Sequence, residues 1–202
     1  MLTIIEIFPP SNIHLIFFFD YQKISEEYQQ SEFLMSMRQS KLVKELSQIY
    51  PIKRITNDRY TIRNLEIPTD LKNLFHSSEY DDPHISSAIG YLCHAVSMCS
   101  KFISKPLRYK LICNSSRSAI QGGQNGSLFP LFKEKVEKDQ FDMGLSLLNR
   151  NIDCLLLSGK WRVDVVKSQE MNMLEKLYII YTKVSLTDPV VECVEEVNMD
   201  VL

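Results

Sequence analysis

The stretch from Asp82 to Phe132 constrains the fold most, because its apolar, polar and proline residues specify consecutive elements. A capping Asp82 precedes Pro83 at the first helical position, where a missing N–H costs no hydrogen bond. Apolar residues then recur at spacings of three and four from Ile85 to Ile103. This spacing predicts a helix with a wide buried face, and Pro106 ends it because a proline is incompatible with the preceding turn.

The residues after this helix predict a small sheet. Residues 107–113 alternate apolar and basic side chains, which is typical of a half-exposed strand, and residues 114–118 form a polar turn. The glycine-rich residues 122–127 lack the Gly-Lys-Ser/Thr ending of a phosphate-binding loop, so a flexible hairpin loop is favoured. Residues 128–132 then read as an edge strand, because Pro130 has no N–H to donate to a ladder.

The first 50 residues divide into an apolar flank and a helix. Residues 1–22 are predicted to be strand-like or poorly ordered; they are too short to span a bilayer as a helix and lack the features of a signal peptide. Residues 23–50 predict an amphipathic helix, with an apolar residue every seven positions at Tyr28, Met35, Leu42 and Ile49. Two interpretations remain open: this helix packs on its own domain, or it is the end of a coiled coil.

The remaining elements follow from the same patterns. Residues 52–67 predict a short hairpin or meander around Asn57-Asp58, and residues 69–81 a polar connection with one helical turn at 71–75. Residues 139–157 predict a second strong helix, in which Asn151 borders the apolar face and should bond to a neighbouring loop. Residues 169–181 predict a final helix before an acidic tail.

No catalytic, metal or cofactor motif is present. The five cysteines lack a framework spacing and suit reduced thiols, with Cys93, Cys99 and Cys113 on apolar faces. The four histidines make no metal-ligand pair, and His94 reads as a satisfied histidine in or beside the core. A small enzyme using His94 or Cys113 remains the alternative from a different class. A net charge of −2 with scattered basic residues gives no reason to expect nucleic acid as a partner.

A binding module is therefore expected, and one strand and turn provide its candidate residues. Arg108, Lys110 and Arg117 could face phosphates or an acidic partner, or could simply form a solvated strand face. Phe129 and Phe132 are either core side chains or exposed aromatic anchors.

A series of ordered blocks resembles one known family. They are LSQIYPI (46–52), IGYLCHAVSM (89–98), PLRY (106–109), SRSAI (116–120), FPLF (129–132), QFDMG (140–144) and LLNRNI (147–152). From about Lys41 to about Leu155 the chain is similar to the C-terminal domain of the UV radiation resistance-associated protein (UVRAG) family.

The alternation of predicted strands and helices after a long helix indicates an α/β fold of the α+β type, and the resemblance implies that its central part is a BARA-like (β–α repeated, autophagy-related) domain. The chain is then expected to comprise an apolar flank (1–22), the end of a coiled-coil helix (23–50), the BARA-like domain (51–158), and a C-terminal helix with an acidic tail (159–202). Both ends of the chain lie outside the resemblance. Because the family has charged coiled coil where this chain has its apolar flank, the flank is alternatively the product of a truncated or mis-joined gene model. The chain is then a fragment without the family's C2-type domain and most of its coiled coil.

The resemblance also implies a function. The family provides a non-catalytic scaffold of the class III phosphatidylinositol 3-kinase complex, which pairs with a Beclin-type subunit and through it with the lipid kinase and its regulatory kinase subunit. Such a subunit lies in the cytoplasm, peripherally on endosomal and autophagic membranes. The sibling autophagy subunit, Barkor, is the alternative within the same class.

Overall fold

The computed structural model describes residues 10–56, 59–68, 75, 82–123, 126–158 and 171–186, with the side chains of residues 10–19 and 186 outside the description. Its helices are α1 (Pro10–Ile49), α2 (Asp82–Phe102), α3 (Lys138–Ser158) and α4 (Met173–Leu186). Its strands are β1 (Ile52–Arg54), β2 (Tyr60–Ile62), β3 (Leu65–Glu66), β4 (Lys110–Ile112), β5 (Ala119–Gly122) and β6 (Ser127–Pro130). The mixed helix and strand class is confirmed, and the long N-terminal helix is present.

The chain divides into two units. The first comprises Met1–Arg38 and Asp188–Leu202, of which the structure describes residues 10–38, and the second comprises Gln39–Thr187. The second unit extends at both ends beyond the 51–158 range expected for the BARA-like domain. It does so because Val43 and Leu46 of α1 and Leu177 of α4 are buried in its core.

Helix α1 begins well before the expected position. Residues 10–22 are helical, so the strand-like prediction for this part of the flank is wrong. Pro10 suits the first turn of a helix, where its missing N–H is not needed, and no glycine or further proline follows before Pro51. The apolar composition of residues 10–22 is therefore as compatible with a helix as with a strand. Residues 1–9 lie outside the described part of the chain.

Two antiparallel three-stranded sheets follow the expected patterns. The first has the order β1-β2-β3 and confirms the meander predicted for residues 52–67. The second has the order β4-β5-β6, with Leu111 opposite Ile120 and Ile120 opposite Phe129. β6 is an edge strand that ends at Pro130, as its proline predicted. The turn expected at 71–75, except Phe75, and the acidic tail lie outside the described residues.

Helix α2 ends in a backbone motif that the sequence did not reveal. Ser104 has a φ of +56°, its N–H donates to the carbonyl of Lys101, and the N–H of Lys105 donates to that of Ser100. This pair of bonds is a Schellman motif, which satisfies carbonyls at the helix end. The helix therefore stops before Pro106 is reached.

The helices pack around one core in the second unit. Helix α2 contacts β2, β3 and the 3-10 turn at Ser115–Arg117, while α3 contacts β5, β6 and α4. Fully buried side chains of α2 and α3 include Ile89, Leu92, Leu148 and Ile152. The apolar stripes predicted for both helices are thus the faces that the core uses.

We expect Leu148→Asp to abolish cooperative unfolding of the second unit. Leu148 is fully buried, and an unpaired carboxylate in its place would cost several kcal/mol, on the order of the whole stability of a domain. The matched control is Met143→Asp on the same helix, because Met143 is 47% exposed. Thermal unfolding followed by circular dichroism measures both; a cooperative transition in the Leu148 variant near that of the unaltered chain would contradict the core assignment.

Candidate functional site

The basic strand has the alternation that its sequence predicted. Leu107, Tyr109 and Leu111 are half-buried, whereas Arg108, Lys110 and Ile112 are exposed. Arg108 lies over the ring of Tyr109, with its guanidinium carbon 5.5 Å from the ring centroid. Cys113, which follows the strand, is exposed as a residue, although its thiol is partly buried beside Ser97 of α2.

An exposed apolar patch adjoins Lys110 on the sheet. Directly paired residues of antiparallel strands point to the same face, and Gln121 pairs with Lys110 on one side and with Leu128 on the other. Ile112 shares that face with Lys110 and is 38% exposed, while Leu128 is 57% exposed. We call these four residues, Lys110, Ile112, Gln121 and Leu128, the outer sheet face.

The sequence analysis did not single out the two apolar members of this face. The alternation held a signal for Ile112 alone, because Ile112 lies two residues after the basic Lys110 on the same strand. Pairing register, which the sequence does not reveal, was needed to bring them together.

The two candidate phenylalanines lie elsewhere. Phe129 pairs with the buried Ile120 and packs half-buried against the core, beside Gly144 of α3. The core alternative is therefore favoured for Phe129, which points away from the outer sheet face. Phe132 is half-buried, and the guanidinium of Arg117 lies 5.7 Å from its ring centroid.

Arg117 is engaged within the chain. Besides the contact with Phe132, its Nη2 donates to Oε2 of Glu134 at 2.7 Å, with both side chains more than half exposed. An exposed pair of this kind contributes little to stability but balances the charge of the arginine. Of the three basic candidates, Arg108 and Lys110 retain a cationic head group with no carboxylate partner among the described residues.

The row of apolar residues on α1 is distinct from the face that packs on the domain. Tyr28 and Met35, in the first unit, are 67% and 56% exposed. In the second unit Ile49 is 56% exposed and Leu42 half-buried, whereas Val43 and Leu46 are buried. A seven-residue repeat drifts by about 20° per heptad on a straight helix, which carries Ile49 away from the core. The buried Val43 and Leu46 show that α1 packs on its own domain, and the coiled-coil interpretation of the exposed row stays a prediction.

Further exposed apolar residues lie on α1. Tyr21 extends the seven-residue row by one repeat and is 73% exposed, and Ile24 is 65% exposed. Phe33, Leu34 and Met37 are also exposed on this helix. Exposed apolar surface is a free-energy cost that association removes.

The residues of the enzyme alternative are poorly suited to catalysis. Nδ1 of the exposed His94 is 2.8 Å from the hydroxyl of Tyr50, so the histidine borders the core and is satisfied. Burial raises the pKa of the Cys113 thiol, and it also raises that of Cys99, to about 12. A raised pKa keeps a thiol protonated, which opposes nucleophilic use. Within the described residues no group of three or more His, Cys, Asp or Glu side chains could hold a metal ion.

Two contacts hold the basic strand and its turn in place. The Asn151 side chain is fully buried in α3; its Oδ1 accepts from the N–H of Tyr109 at 2.9 Å, and its Nδ2 donates to the carbonyl of Tyr109 at 2.8 Å. The predicted bond from Asn151 to a neighbouring loop is confirmed. Gly90 of α2 approaches the carbonyl oxygen of Ser115 so closely that a Cβ would lie 2.2 Å from it.

A buried charge network between α3 and α4 was missed by the sequence analysis. Lys176 is fully buried, and its Nζ lies 2.7 Å from Oδ1 of Asp153 and 2.8 Å from Oδ1 of Asn149. The sequence held one indication of this network: Lys176 lies between the apolar residues Leu174 and Leu177 on the predicted helix. Asn172 caps α4 by accepting from the N–H of Glu175, which is why the helix begins at Met173 rather than near Gln169.

Comparison with known proteins gives several relatives, including the following two. The chain is 40% identical to the UV radiation resistance-associated protein of Mus musculus over 124 residues, 58% of this chain and 17% of the relative. The resemblance to the UVRAG family is confirmed. The chain is also 31% identical to the vacuolar protein sorting-associated protein 38 of Schizosaccharomyces pombe over 120 residues, 56% of this chain and 24% of that relative.

The chain therefore spans about a sixth and about a quarter of the length of these relatives. No family model matches it. A search of the described helices for one long and apolar enough to cross a membrane found none.

We expect Asn151→Ala to destabilise the second unit by about 2–4 kcal/mol, because it leaves both backbone groups of Tyr109 without partners in a buried site. The neighbouring Arg150→Ala is the control, since Arg150 is exposed on the same helix. Urea denaturation measures both variants. Equal midpoints for the two would show that the amide pair does not hold the strand.

Proposed function

We propose that this chain is a non-catalytic scaffold subunit of a class III phosphatidylinositol 3-kinase complex, acting in autophagy and endosomal trafficking. The observation that carries this proposal is the 40% identity to the UV radiation resistance-associated protein. A second relative, a vacuolar protein sorting-associated protein, supports the proposed role in membrane trafficking. Because the chain matches only a small part of either relative, the complex, its partners and its membranes belong to the proposal.

The proposed mechanism is pairing with a Beclin-type subunit along α1. The row Tyr28, Met35, Leu42 and Ile49, extended by Tyr21, supplies the seven-residue repeat that a coiled coil uses. Full burial of one such side chain stabilises an association by about 1.5–3 kcal/mol. The other face of α1, which carries Val43 and Leu46, is occupied by the core of its own unit, so one helix can serve both roles.

The outer sheet face is the second contact in this proposal. Ile112 and Leu128 are exposed apolar side chains, flanked by the cations of Lys110 and the neighbouring Arg108. An apolar centre beside basic groups suits an acidic partner surface, with the apolar contacts giving affinity and the charges giving orientation. We propose that the unit formed by residues 39–187 is BARA-like and that this face, rather than Phe129, meets the Beclin-type subunit. Through that subunit the scaffold reaches the lipid kinase and its regulatory kinase subunit.

In this proposal the chain works in the cytoplasm, peripherally on endosomal or autophagic membranes. The Barkor-like alternative in the sibling complex shares the same pairing helix, and the identity to the UV radiation resistance-associated protein favours the first assignment. The enzyme alternative is disfavoured by the raised pKa of Cys113 and by the bond between His94 and Tyr50.

Co-precipitation of the full chain with a Beclin-type subunit tests the pairing helix. We expect the double variant Tyr28→Glu/Met35→Glu to weaken association at least tenfold, because two carboxylates would enter an apolar seam. The control is Gln30→Glu/Met37→Glu, which adds the same charge to the opposite side of the same helix. Equal association of the two double variants would refute the pairing. So would the absence of association by the unaltered chain, even after the coiled coil of a relative is fused to it.

The same assay tests the outer sheet face. We expect Ile112→Asp/Leu128→Asp to leave the unfolding temperature within a few degrees of the unaltered value, because both side chains are exposed, while reducing association severalfold. Phe129→Asp is the contrasting variant, since it should destabilise the unit instead. Association that is unchanged in the Ile112/Leu128 variant would remove this face from the interface.

A further inference from the structure

Helix α1 carries a second stripe of side chains, on the side opposite the row that contains Tyr28 and Met35. Successive members of this stripe are spaced alternately by four and three residues, so they face the same way along the helix. Two residues of a helix turn by about 200°, which places Met37 across the helix from Met35. We call the following residues the charged-end stripe: Glu26, Gln30, Phe33, Met37, Ser40 and Lys44.

The charged-end stripe is apolar at its centre and charged at its ends. Phe33 and Met37 are 39% and 47% exposed and lie about one turn apart. Glu26 and Lys44, which are both exposed, end the stripe with opposite charges. They are 18 residues apart, which is about five turns, so they point to the same side of one continuous helix. An acidic end, an apolar centre and a basic end therefore follow one another along this side.

This order of side chains is symmetric about the level of residue 35. Phe33 and Met37 are each two residues from that level, Glu26 and Lys44 are each nine residues from it, and the two uncharged polar positions between them are each five. When two identical helices pair antiparallel about one level, each position meets its mirror position on the other helix. Phe33 of one copy then meets Met37 of the other, and Glu26 of one copy meets Lys44 of the other.

The remaining charges of α1 also favour the antiparallel arrangement. In a parallel pair in register, every charged residue meets its own copy, so that like charges face one another. In the antiparallel pair Glu32 shares a level with Arg38, and no two like charges share a level anywhere from residue 20 to residue 50. Charge juxtaposition of this kind selects one orientation against the other.

We propose that two copies of this chain associate antiparallel along the charged-end stripe. Phe33 of each copy packs on Met37 of the other at the centre, and Glu26 of each copy pairs with Lys44 of the other at the two ends. A second copy fits better than an unrelated partner because the stripe complements itself: each end carries the charge that the other end requires. The pairing proposed with a Beclin-type subunit uses the opposite side of α1, so neither association depends on the other.

Sedimentation equilibrium of the full chain tests this proposal. With two apolar pairs and two exposed ion pairs, we expect a salt-sensitive monomer–dimer equilibrium with a Kd on the order of 100 µM. Met37→Glu should weaken dimerisation at least tenfold, because a carboxylate would then face the ring of Phe33. The control is Tyr28→Glu/Met35→Glu, which adds charge to the opposite side and should leave the Kd within about twofold.

Exchange of the end charges tests the orientation. Glu26→Lys should weaken dimerisation severalfold at low salt, because two ammonium groups would then meet at each end. The double variant Glu26→Lys/Lys44→Glu should restore it, since opposite charges meet again. In a parallel pair, by contrast, Glu26→Lys would exchange one contact between like charges for another and leave the Kd unchanged.

Four outcomes would each overturn the proposal. The first is a chain that stays monomeric at about 1 mM, tenfold above the expected Kd. The second is dimerisation that Met37→Glu leaves intact, and the third is dimerisation that the control Tyr28→Glu/Met35→Glu weakens as much as Met37→Glu does. The fourth is a double variant Glu26→Lys/Lys44→Glu that dimerises no more tightly than Glu26→Lys.

Discussion

The second unit depends on the pairing of one side-chain amide with one residue's backbone. The buried Asn151 of α3 satisfies both the N–H and the carbonyl of Tyr109, just before β4 begins. An amide in this position acts as a short piece of neighbouring strand, because it offers the same donor and acceptor. It fixes where the basic strand enters the sheet, and hence which of its side chains face outward. The exposure of Lys110 and Ile112, on which the outer sheet face rests, follows from that placement.

Local sequence patterns were sufficient for most of the elements. Pro83, the three-and-four spacing of α2 and α3, the alternation of residues 107–112 and the position of Pro130 each act over a few residues. Their consequences are visible in any window that contains them. The bond from Asn151 was predictable in kind, because a buried amide needs partners, although the identity of Tyr109 as its partner was not.

What the sequence did not reveal depends on contacts between distant residues. The exposed positions of Ile112 and Leu128 form one face only through the pairing of three strands. The place of Phe129 against Gly144 arises where helix α3 meets the second sheet. The early start of α1 was missed for a different reason: apolar residues 13–19 suit a strand or a helix equally well, and length decides between them.

The buried Lys176 has a consequence for how α3 and α4 fit together. Its ammonium is held between Asp153 and Asn149, one turn apart on α3. Apolar side chains alone would tolerate a slide of one helix along the other, since many registers bury similar area. A shift of one turn, about 5.4 Å, would leave the ammonium of Lys176 buried without a partner and the carboxylate of Asp153 without its counter-charge. Lys176 thus favours a single register of α4 on α3, and every surface bordered by α4 takes its geometry from that register.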